Sequence, residues 1–323
     1  MCRRKHTLVL SVCLLFVMLI SLGACSHSPF PAGVSRVISS VSIPHQLRGI
    51  SWCSDGYIAV GGHEGGGEYA PYGEIYLLDV ASGDLVTLVE RARGLQLHPS
   101  CSPTGQQVAF HSTALRQRGI WIVDIGDSSI LQYVTEGDYP VWSSEGKRMA
   151  FVRYDREYGN WTDTVCILDL ETDDVIEVFT VNAEMVDSNG LAWSPDAQNL
   201  AFSVGKGTLA QHGVNETDIY VLNFEENELL QLTSGGRNDH PAWSPDGRLI
   251  AYMSGPTYGV QTLVIARSDG TCSIKPLEVY GLSWTAWSPD GTRIAFTWER
   301  GIYVMDVATV LGADFLVTGP TCP

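Results

Sequence analysis

Side chains that could do chemistry are concentrated in segments that the sequence predicts as loops. Four histidines, His63, His111, His212 and His240, fall in such segments, and imidazole serves both as a metal ligand and as a general base. A zinc-peptidase motif would need a second histidine four residues after His63, where Gly67 stands. Because the sequence does not show that the four rings meet, it predicts no metal site and no cofactor.

Motifs for covalent catalysis and nucleotide binding are absent or out of context. Residues 205–210 (GKGTLA) have the spacing of a dinucleotide-binding loop. They lack the strand-to-helix context that would place a helix N-terminus at a phosphate. No Gly-x-Ser-x-Gly nucleophile elbow occurs in the chain. The sequence therefore predicts no catalytic residue.

Eight aspartates recur at fixed positions of a repeated segment. Recurrence in unit after unit indicates carboxylates that cap turns and strand ends, since one active site would not need the same group in every unit. The eight are Asp55, Asp196, Asp246 and Asp290 in predicted turns, and Asp79, Asp124, Asp169 and Asp306 at predicted strand ends.

The best candidates for ligand recognition are aromatic, histidine and acidic side chains on loops predicted to open on one face. Rigid aromatic groups with a polar rim suit a protein segment, a peptide or a glycan. The candidates are His63, Tyr69, Tyr72, Tyr154, Tyr158, Trp161, His212, Asp239 and His240.

These loops must be positioned by a repeat that fills most of the chain. The clearest copies are AWSPDGRLIAY at residues 242–252 and AWSPDGTRIAF at residues 286–296. A strand, a Ser-Pro-Asp-Gly turn and a second strand account for this segment, because proline sets the bend and glycine takes the left-handed position. The tryptophan position recurs six times, at residues 52, 101, 142, 193, 243 and 287, with cysteine at 101.

Six units of four short strands predict an all-β fold, a six-bladed β-propeller of four-stranded antiparallel blades. The recurrent tryptophan is expected to fill the space between neighbouring blades. Two segments compete to close the ring as an outer strand of the last blade. One is residues 36–43, which alternate as a strand does, and the other is Phe315 to Thr318.

The repeat resembles that of the TolB propeller and related bacterial envelope proteins. The resemblance rests on Trp-Ser-Pro-Asp-Gly, then Ile-Ala-Phe, then Ile-Tyr-Val-Met-Asp, and covers about residues 45–320. It implies a TolB-like propeller of the cell envelope. TolB also has an α/β domain before its propeller, and nothing of that kind fits between Cys25 and Trp52. The resemblance therefore does not transfer the partners of TolB.

The N-terminus predicts export and a lipid anchor. Residues 1–24 combine a basic start, an apolar run and the small residues Gly23 and Ala24 before Cys25, as in a lipoprotein signal peptide. Lipidation at Cys25, a tether over residues 25–34 and a propeller over residues 35–323 follow. An uncleaved transmembrane anchor is the alternative. Both place the propeller outside the cytoplasm, and Ser26 after the lipidated cysteine weakly favours an outer membrane.

The net charge limits the classes of partner that the chain can bind, and the cysteines indicate where disulfides could form. The net charge of -16 repels phosphate backbones, so nucleic acid is excluded as a partner. Cysteines in an exported chain can form disulfides. Adjacent blades could be bridged by Cys53 and Cys101 or by Cys272 and Cys322, while Cys166 is expected to be a buried thiol.

Two function hypotheses of different classes remain open. The favoured one is a recognition or scaffold module whose propeller mouth binds a protein segment or polymer. The alternative is a propeller enzyme, a lactonase or a polysaccharide lyase or hydrolase, that uses loop carboxylates and histidines. Paired carboxylates or clustered histidines would favour the enzyme, whereas aromatic rings without such a cluster would favour binding.

Overall fold

The chain forms six antiparallel sheets of four strands each, in agreement with the predicted propeller. The computed structural model describes residues 29–37, 46–54, 56–64, 72–113, 115, 117–155, 162–182, 185–206, 216–256 and 259–321. All of the strands lie in the second of the chain's two compact units, residues 32–323. In the described residues, no helix combines the length and the apolar character that crossing a membrane requires.

The strands follow the chain in a simple order, and each blade uses four of them. They are β1 (Val34–Arg36), β2 (Gln46–Ser54), β3 (Tyr57–Glu64), β4 (Tyr72–Asp79), β5 (Leu85–Arg93), β6 (Gln96–Cys101), β7 (Gln107–Ser112), β8 (Gly119–Asp124), β9 (Leu131–Thr135), β10 (Asp138–Trp142), β11 (Arg148–Asp155), β12 (Thr162–Asp169), β13 (Val175–Asn182), β14 (Met185–Trp193), β15 (Asn199–Lys206), β16 (Glu216–Asn223), β17 (Glu228–Gln231), β18 (Asn238–Trp243), β19 (Leu249–Ser254), β20 (Val260–Arg267), β21 (Ser273–Tyr280), β22 (Leu282–Trp287), β23 (Arg293–Trp298) and β24 (Gly301–Asp306). Blades 1 to 5 comprise β2–β5, β6–β9, β10–β13, β14–β17 and β18–β21, and blade 6 comprises β22, β23, β24 and β1.

The turn between the first two strands of a blade is held by its own serine and aspartate. In blade 5 the Ser244 hydroxyl donates to Asp246 Oδ1 over 2.6 Å, and the Arg248 amide donates to the same oxygen over 3.1 Å. Gly247 has a φ of 74°, the left-handed conformation that the sequence predicts for it. This local chemistry recurs around the ring and starts the second strand of the blade.

The recurrent tryptophans join neighbouring blades, as predicted. The Trp193 indole of blade 4 donates to the Val141 carbonyl of blade 3 over 3.2 Å. The Trp243 indole of blade 5 donates to the Ala192 carbonyl of blade 4 over 3.1 Å. The largest fully buried side chains include Phe110, Phe151, Phe202 and Phe296.

The N-terminal strand closes the ring. Val34, Ser35 and Arg36 of β1 pair with Met305, Val304 and Tyr303 of β24. The predicted closing segment, residues 36–43, therefore begins too late, and residues 38–43 of it lie outside the described residues.

The other predicted closing strand, Phe315 to Thr318, is wrong. These residues form a short helix, α2 (Phe315–Thr318), after α1 (Val307–Leu311). Two arginines of blade 5 hold the backbone of this segment. Arg248 donates to the carbonyls of Leu316 and Val317, each over 2.6 Å, and Arg267 donates to the Thr318 carbonyl over 3.0 Å. Because side chains bind these carbonyls, no strand ladder is needed to satisfy them.

The recurrent aspartates are caps, which confirms their structural interpretation at the described positions. In a strand-end example, Asp79 Oδ1 accepts from the Ala81 amide over 2.8 Å and from the Ser82 amide over 2.9 Å. Asp306 accepts from the Thr309 amide over 2.7 Å and caps α1. Asp55 lies outside the described residues.

A disulfide joins Cys53 of blade 1 to Cys101 of blade 2, with Cα atoms 4.8 Å apart. Cys101 stands at the tryptophan position of its blade, so a covalent bridge between blades replaces the indole there. Cys272 is disulfide-bonded as well, and its predicted partner Cys322 lies outside the described residues. Cys166 is a buried free thiol, as predicted, and burial raises its pKa to about 11.

Candidate functional site

The innermost strands of the blades place six equivalent residues around the propeller axis. Each stands three positions before the tryptophan or cysteine of the repeat. We call this set the inner ring: Gly49, His98, Tyr139, Gly190, His240 and Trp284. All six line a cavity of about 90 Å³.

Four of the inner-ring side chains form a continuous aromatic arc. The His98 ring stacks on Tyr139 with centroids 3.8 Å apart and lies 5.7 Å from the Trp284 ring. The His240 ring lies 4.1 Å from Trp284 on the other side. A Cβ at Gly49 would lie 2.9 Å from the ring of Pro99. The absence of a side chain at Gly49 therefore lets blades 1 and 2 approach closely.

The backbone of the arc is held in an unusual conformation. His98, Tyr139, His240 and Trp284 have φ values of 55°, 54°, 55° and 46°, in the left-handed region that non-glycine residues rarely adopt. Such conformations persist when the surrounding structure imposes them, and they cluster at functional sites. Here each lies at a break in the pairing of the first strand of its blade.

His240 has one ring nitrogen engaged and one free. Its Nδ1 lies 2.8 Å from Asp239 Oδ1, and the Arg237 Nε donates to Asp239 Oδ2 over 2.8 Å. Burial raises the pKa of Asp239, but His240 and Arg237 outweigh it and hold that pKa below the ordinary value. Because a charged carboxylate only accepts, Nδ1 carries a proton. Buried Nε2 has no hydrogen-bond partner among the described residues.

A larger cavity continues from the inner ring between blades 5, 6 and 1. We call it the polar cleft, and its volume is about 380 Å³. His240 and Trp284 line both cavities. The lining of the cleft thus combines these two aromatic rings with polar side chains. The polar side chains include Gln46, Arg48, Arg237, Asp239, Gln261 and Glu299.

A second polar cluster lies where blades 2 and 3 meet. His98 Nδ1 is 3.0 Å from Asp138 Oδ1, and His111 Nδ1 is 3.3 Å from Asp138 Oδ2. All three residues are buried, and one ligand atom from each lies within 4.8 Å of the others. We call these residues the histidine–aspartate cluster. Among the described residues they could hold a metal ion, although the sequence predicted no metal site.

The protonation of His111 predicts a pH dependence of stability. Burial, opposed by Asp138 and reinforced by His98 and Arg118, lowers the pKa of His111 to about 4. In the unfolded chain a histidine titrates near 6.5, so the unfolded state takes up this proton first as pH falls. Between pH 6.5 and 4 we expect His111 to cost about 3 kcal/mol of unfolding free energy.

The measurement is urea unfolding from pH 7 to pH 4.5 in the presence of a chelator, with His111→Gln as the comparison. The variant should lose less stability than the wild-type chain over this range, because glutamine does not titrate. Equal losses in the two chains would contradict the assignment to His111.

The structure brings together two of the residues predicted for the mouth and separates a third. Asp239 and His240 meet at the polar cleft. Tyr154 instead packs against the core between blades 3 and 4. His63 and Tyr72 lie in β3 and β4, where the backbone of His63 pairs with Gln46. Outside the described residues lie Cys25, Tyr69, Tyr158, Trp161 and His212.

The candidate site residues predicted from the sequence did not include His98, Tyr139 or Trp284. A signal for all three was present, because each stands at the same position of the repeat as His240. Aligning the units on their tryptophans brings these residues to one level of the propeller. The same alignment shows which blades contribute an aromatic side chain to the inner ring and which contribute a glycine.

Comparison with known proteins gives a family match over more than half of the chain. The model of the TolB beta propeller domain matches residues 138–309. The chain is 25% identical over 233 residues to the Tol-Pal system protein TolB of Francisella tularensis, covering 68% of this chain and 48% of that protein. It is 28% identical over 135 residues to dipeptidyl-peptidase 5 of Porphyromonas gingivalis, covering 38% of this chain and 20% of the peptidase.

A solved structure agrees in fold. TolB from Acinetobacter baumannii superposes with a TM-score of 0.58 at 19% identity, covering 78% of this chain and 63% of that one. The chain spans less than half the length of the curated relatives that it matches. The comparison therefore concerns the propeller and not the whole of those proteins.

Proposed function

The chain belongs to the TolB beta propeller domain family, and on that premise we propose that it is a recognition module of the cell envelope. Its ligand is a segment of a partner protein that enters the polar cleft and rests on the aromatic arc of the inner ring. The similarity to TolB of the Tol-Pal system supports the envelope location.

The observation that carries this proposal is the free Nε2 of His240. This nitrogen is buried and lacks a hydrogen-bond partner among the described residues, and its residue lines both cavities. A buried polar atom without a partner costs free energy, and a ligand group that forms a hydrogen bond there removes that cost. A peptide bond carries both kinds of group, an N–H donor and a C=O acceptor.

The surroundings of His240 suit recognition of an extended segment. Trp284 and Tyr139 offer rigid aromatic faces, which give contact area at little entropic cost. Arg48, Gln261 and Glu299 offer polar groups along the cleft. The net charge of -16 adds long-range attraction for a segment of positive charge.

The anchor is part of the same proposal. Cys25, after the apolar run of residues 7–22, carries the lipid and holds the propeller at the membrane surface, outside the cytoplasm. Acyl chains contribute about 0.8 kcal/mol for each buried methylene group. Mass spectrometry of the purified chain tests this point, because lipidation removes residues 1–24 and adds acyl mass to Cys25.

We expect the double variant His240→Ala/Trp284→Ala to weaken partner binding by at least about 30-fold, because loss of a hot-spot residue costs 2 kcal/mol or more. Partners are captured from a detergent-solubilised envelope extract on the full-length chain. The affinity of each purified partner is then measured. Tyr57→Ala is the matched control, since Tyr57 is exposed and begins β3 at the opposite end of the blade.

Circular dichroism verifies that each variant is folded. A partner that binds both variants as tightly as wild type does not use this site, and if every partner behaves so the proposal is wrong. Consumption of a lactone or a polysaccharide by the wild-type chain and not by the double variant would instead favour the enzyme hypothesis.

A further inference from the structure

We propose that the histidine–aspartate cluster is a binding site for a divalent transition-metal ion, with His98, His111 and Asp138 as its protein ligands. The site joins blade 2 to blade 3 beside the inner ring. Its residues do not line the polar cleft, although His98 also belongs to the inner ring, and the inference does not rest on the proposed partner binding.

The distances within the cluster match two ligands sharing one ion. Ligands at about 2.1 Å from a zinc ion lie about 3.0–3.4 Å apart when they are neighbours in its coordination sphere. The two nitrogen–oxygen distances are 3.0 and 3.3 Å. The widest separation in the cluster, within 4.8 Å, has to shorten by up to about 1.4 Å to reach the 3.4 Å that neighbouring ligands of one ion require.

One nitrogen of the cluster lacks a hydrogen bond. His111 Nδ1 is buried and, despite its 3.3 Å approach to Asp138 Oδ2, makes no aligned hydrogen bond in the described structure. A buried polar atom in this condition needs a partner. An ion between the imidazole and the carboxylate supplies it.

Blade 5 provides an internal comparison at the same position of the repeat. Asp138 stands four residues before Trp142, and Asp239 stands four residues before Trp243. Arg237 pairs with Asp239 over 2.8 Å, so that buried carboxylate has a permanent positive partner. The ion-pair contacts described for Asp138 are with two histidines. A divalent cation held by the histidines takes the place that the guanidinium fills in blade 5.

The donor set selects the class of ion. Two imidazole nitrogens and one carboxylate oxygen suit zinc and other first-row transition metals, whereas calcium and magnesium prefer oxygen ligands alone. Three protein ligands leave at least one coordination position for water or for a ligand group. Zn²⁺ is accordingly the probe, and Co²⁺ reports the geometry through its visible absorption.

The test uses the full-length chain without a histidine tag, stripped of metal by a chelator and dialysed against Zn²⁺. We expect one equivalent of tightly bound zinc by elemental analysis, and an affinity at least about 100-fold lower in His98→Gln/His111→Gln and in Asp138→Asn. Loss of a ligand should cost at least as much as loss of an outer-shell contact. His240→Gln is the matched control, since it removes a buried inner-ring histidine outside the cluster.

Two outcomes overturn the proposal. One is a folded wild-type chain that binds no stoichiometric zinc, and the other is zinc binding that the cluster variants leave unchanged. Should the variants fail to fold, anomalous diffraction from zinc-soaked wild-type crystals decides the question. An ion within bonding distance of the three side chains supports the proposal, and an ion elsewhere or none contradicts it.

Discussion

Replacing Trp193 with alanine is expected to lower the free energy of unfolding by about 3–5 kcal/mol. Trp193 is buried in the core cluster that joins blades 3 and 4, so its removal leaves a cavity between two sheets. The substitution also deprives the Val141 carbonyl of its indole donor at 3.2 Å. It exposes the guanidinium of Arg148, whose Cζ lies 4.8 Å from the indole ring centroid. Chemical denaturation measures the change.

Trp193→Phe is the matched variant. It keeps most of the apolar volume and loses the hydrogen bond, so a smaller loss of about 1–2 kcal/mol is expected. If the alanine and phenylalanine variants lose the same free energy of unfolding, the indole stabilises the fold through its hydrogen bond rather than by filling the space between the blades. A loss below 1 kcal/mol for alanine would contradict the role of the recurrent tryptophan.

Removal of the disulfide between Cys53 and Cys101 is the second large effect. The bond joins residues 48 positions apart, and opening a loop of this length increases the entropy of the unfolded chain by the equivalent of about 4 kcal/mol. The double variant Cys53→Ala/Cys101→Ala should lose about that much stability in denaturant unfolding. Reduction of the wild-type chain should act in the same direction.

Cys166→Ala is the control, because Cys166 is a buried thiol outside any disulfide. This substitution should lower the free energy of unfolding only by the lost packing of one small side chain. Adding a reductant should not change the size of that loss. A double variant as stable as wild type would mean that the bridge adds nothing to the contact between blades 1 and 2.

The sequence predicted the blades because each is encoded locally. The turn at Ser244 to Gly247 is made by its own side chains, and the strands on either side of it need no distant information. The number of blades follows from counting the recurrent tryptophan position. Ring closure was harder, because Phe315 to Thr318 is as apolar as a strand. Its helical form depends on Arg248 and Arg267, whose side chains reach it from another blade.

The candidate site was predicted only in part. Asp239 and His240 were identified from their residue types and their place in a predicted loop, and in the structure they line the polar cleft. The partnership of His98 with His111 and Asp138 depends on the packing of blade 2 against blade 3, and on a left-handed backbone at a residue that is not glycine. Neither is visible in the hydrophobic pattern. Tyr154 shows the converse, because an aromatic residue predicted for the mouth packs against the core instead.

The pairing of β1 with β24 also constrains the order in which the blades can be completed during folding. Val34 pairs with Met305, so the first of the described strands finds its partner about 270 residues further along the chain. Blades 1 to 5 contain only strands that follow one another in the chain, and each can form as its last strand appears. Among the described blades, blade 6 alone must recruit a strand from a distant part of the chain, which makes closure of the ring a long-range pairing event.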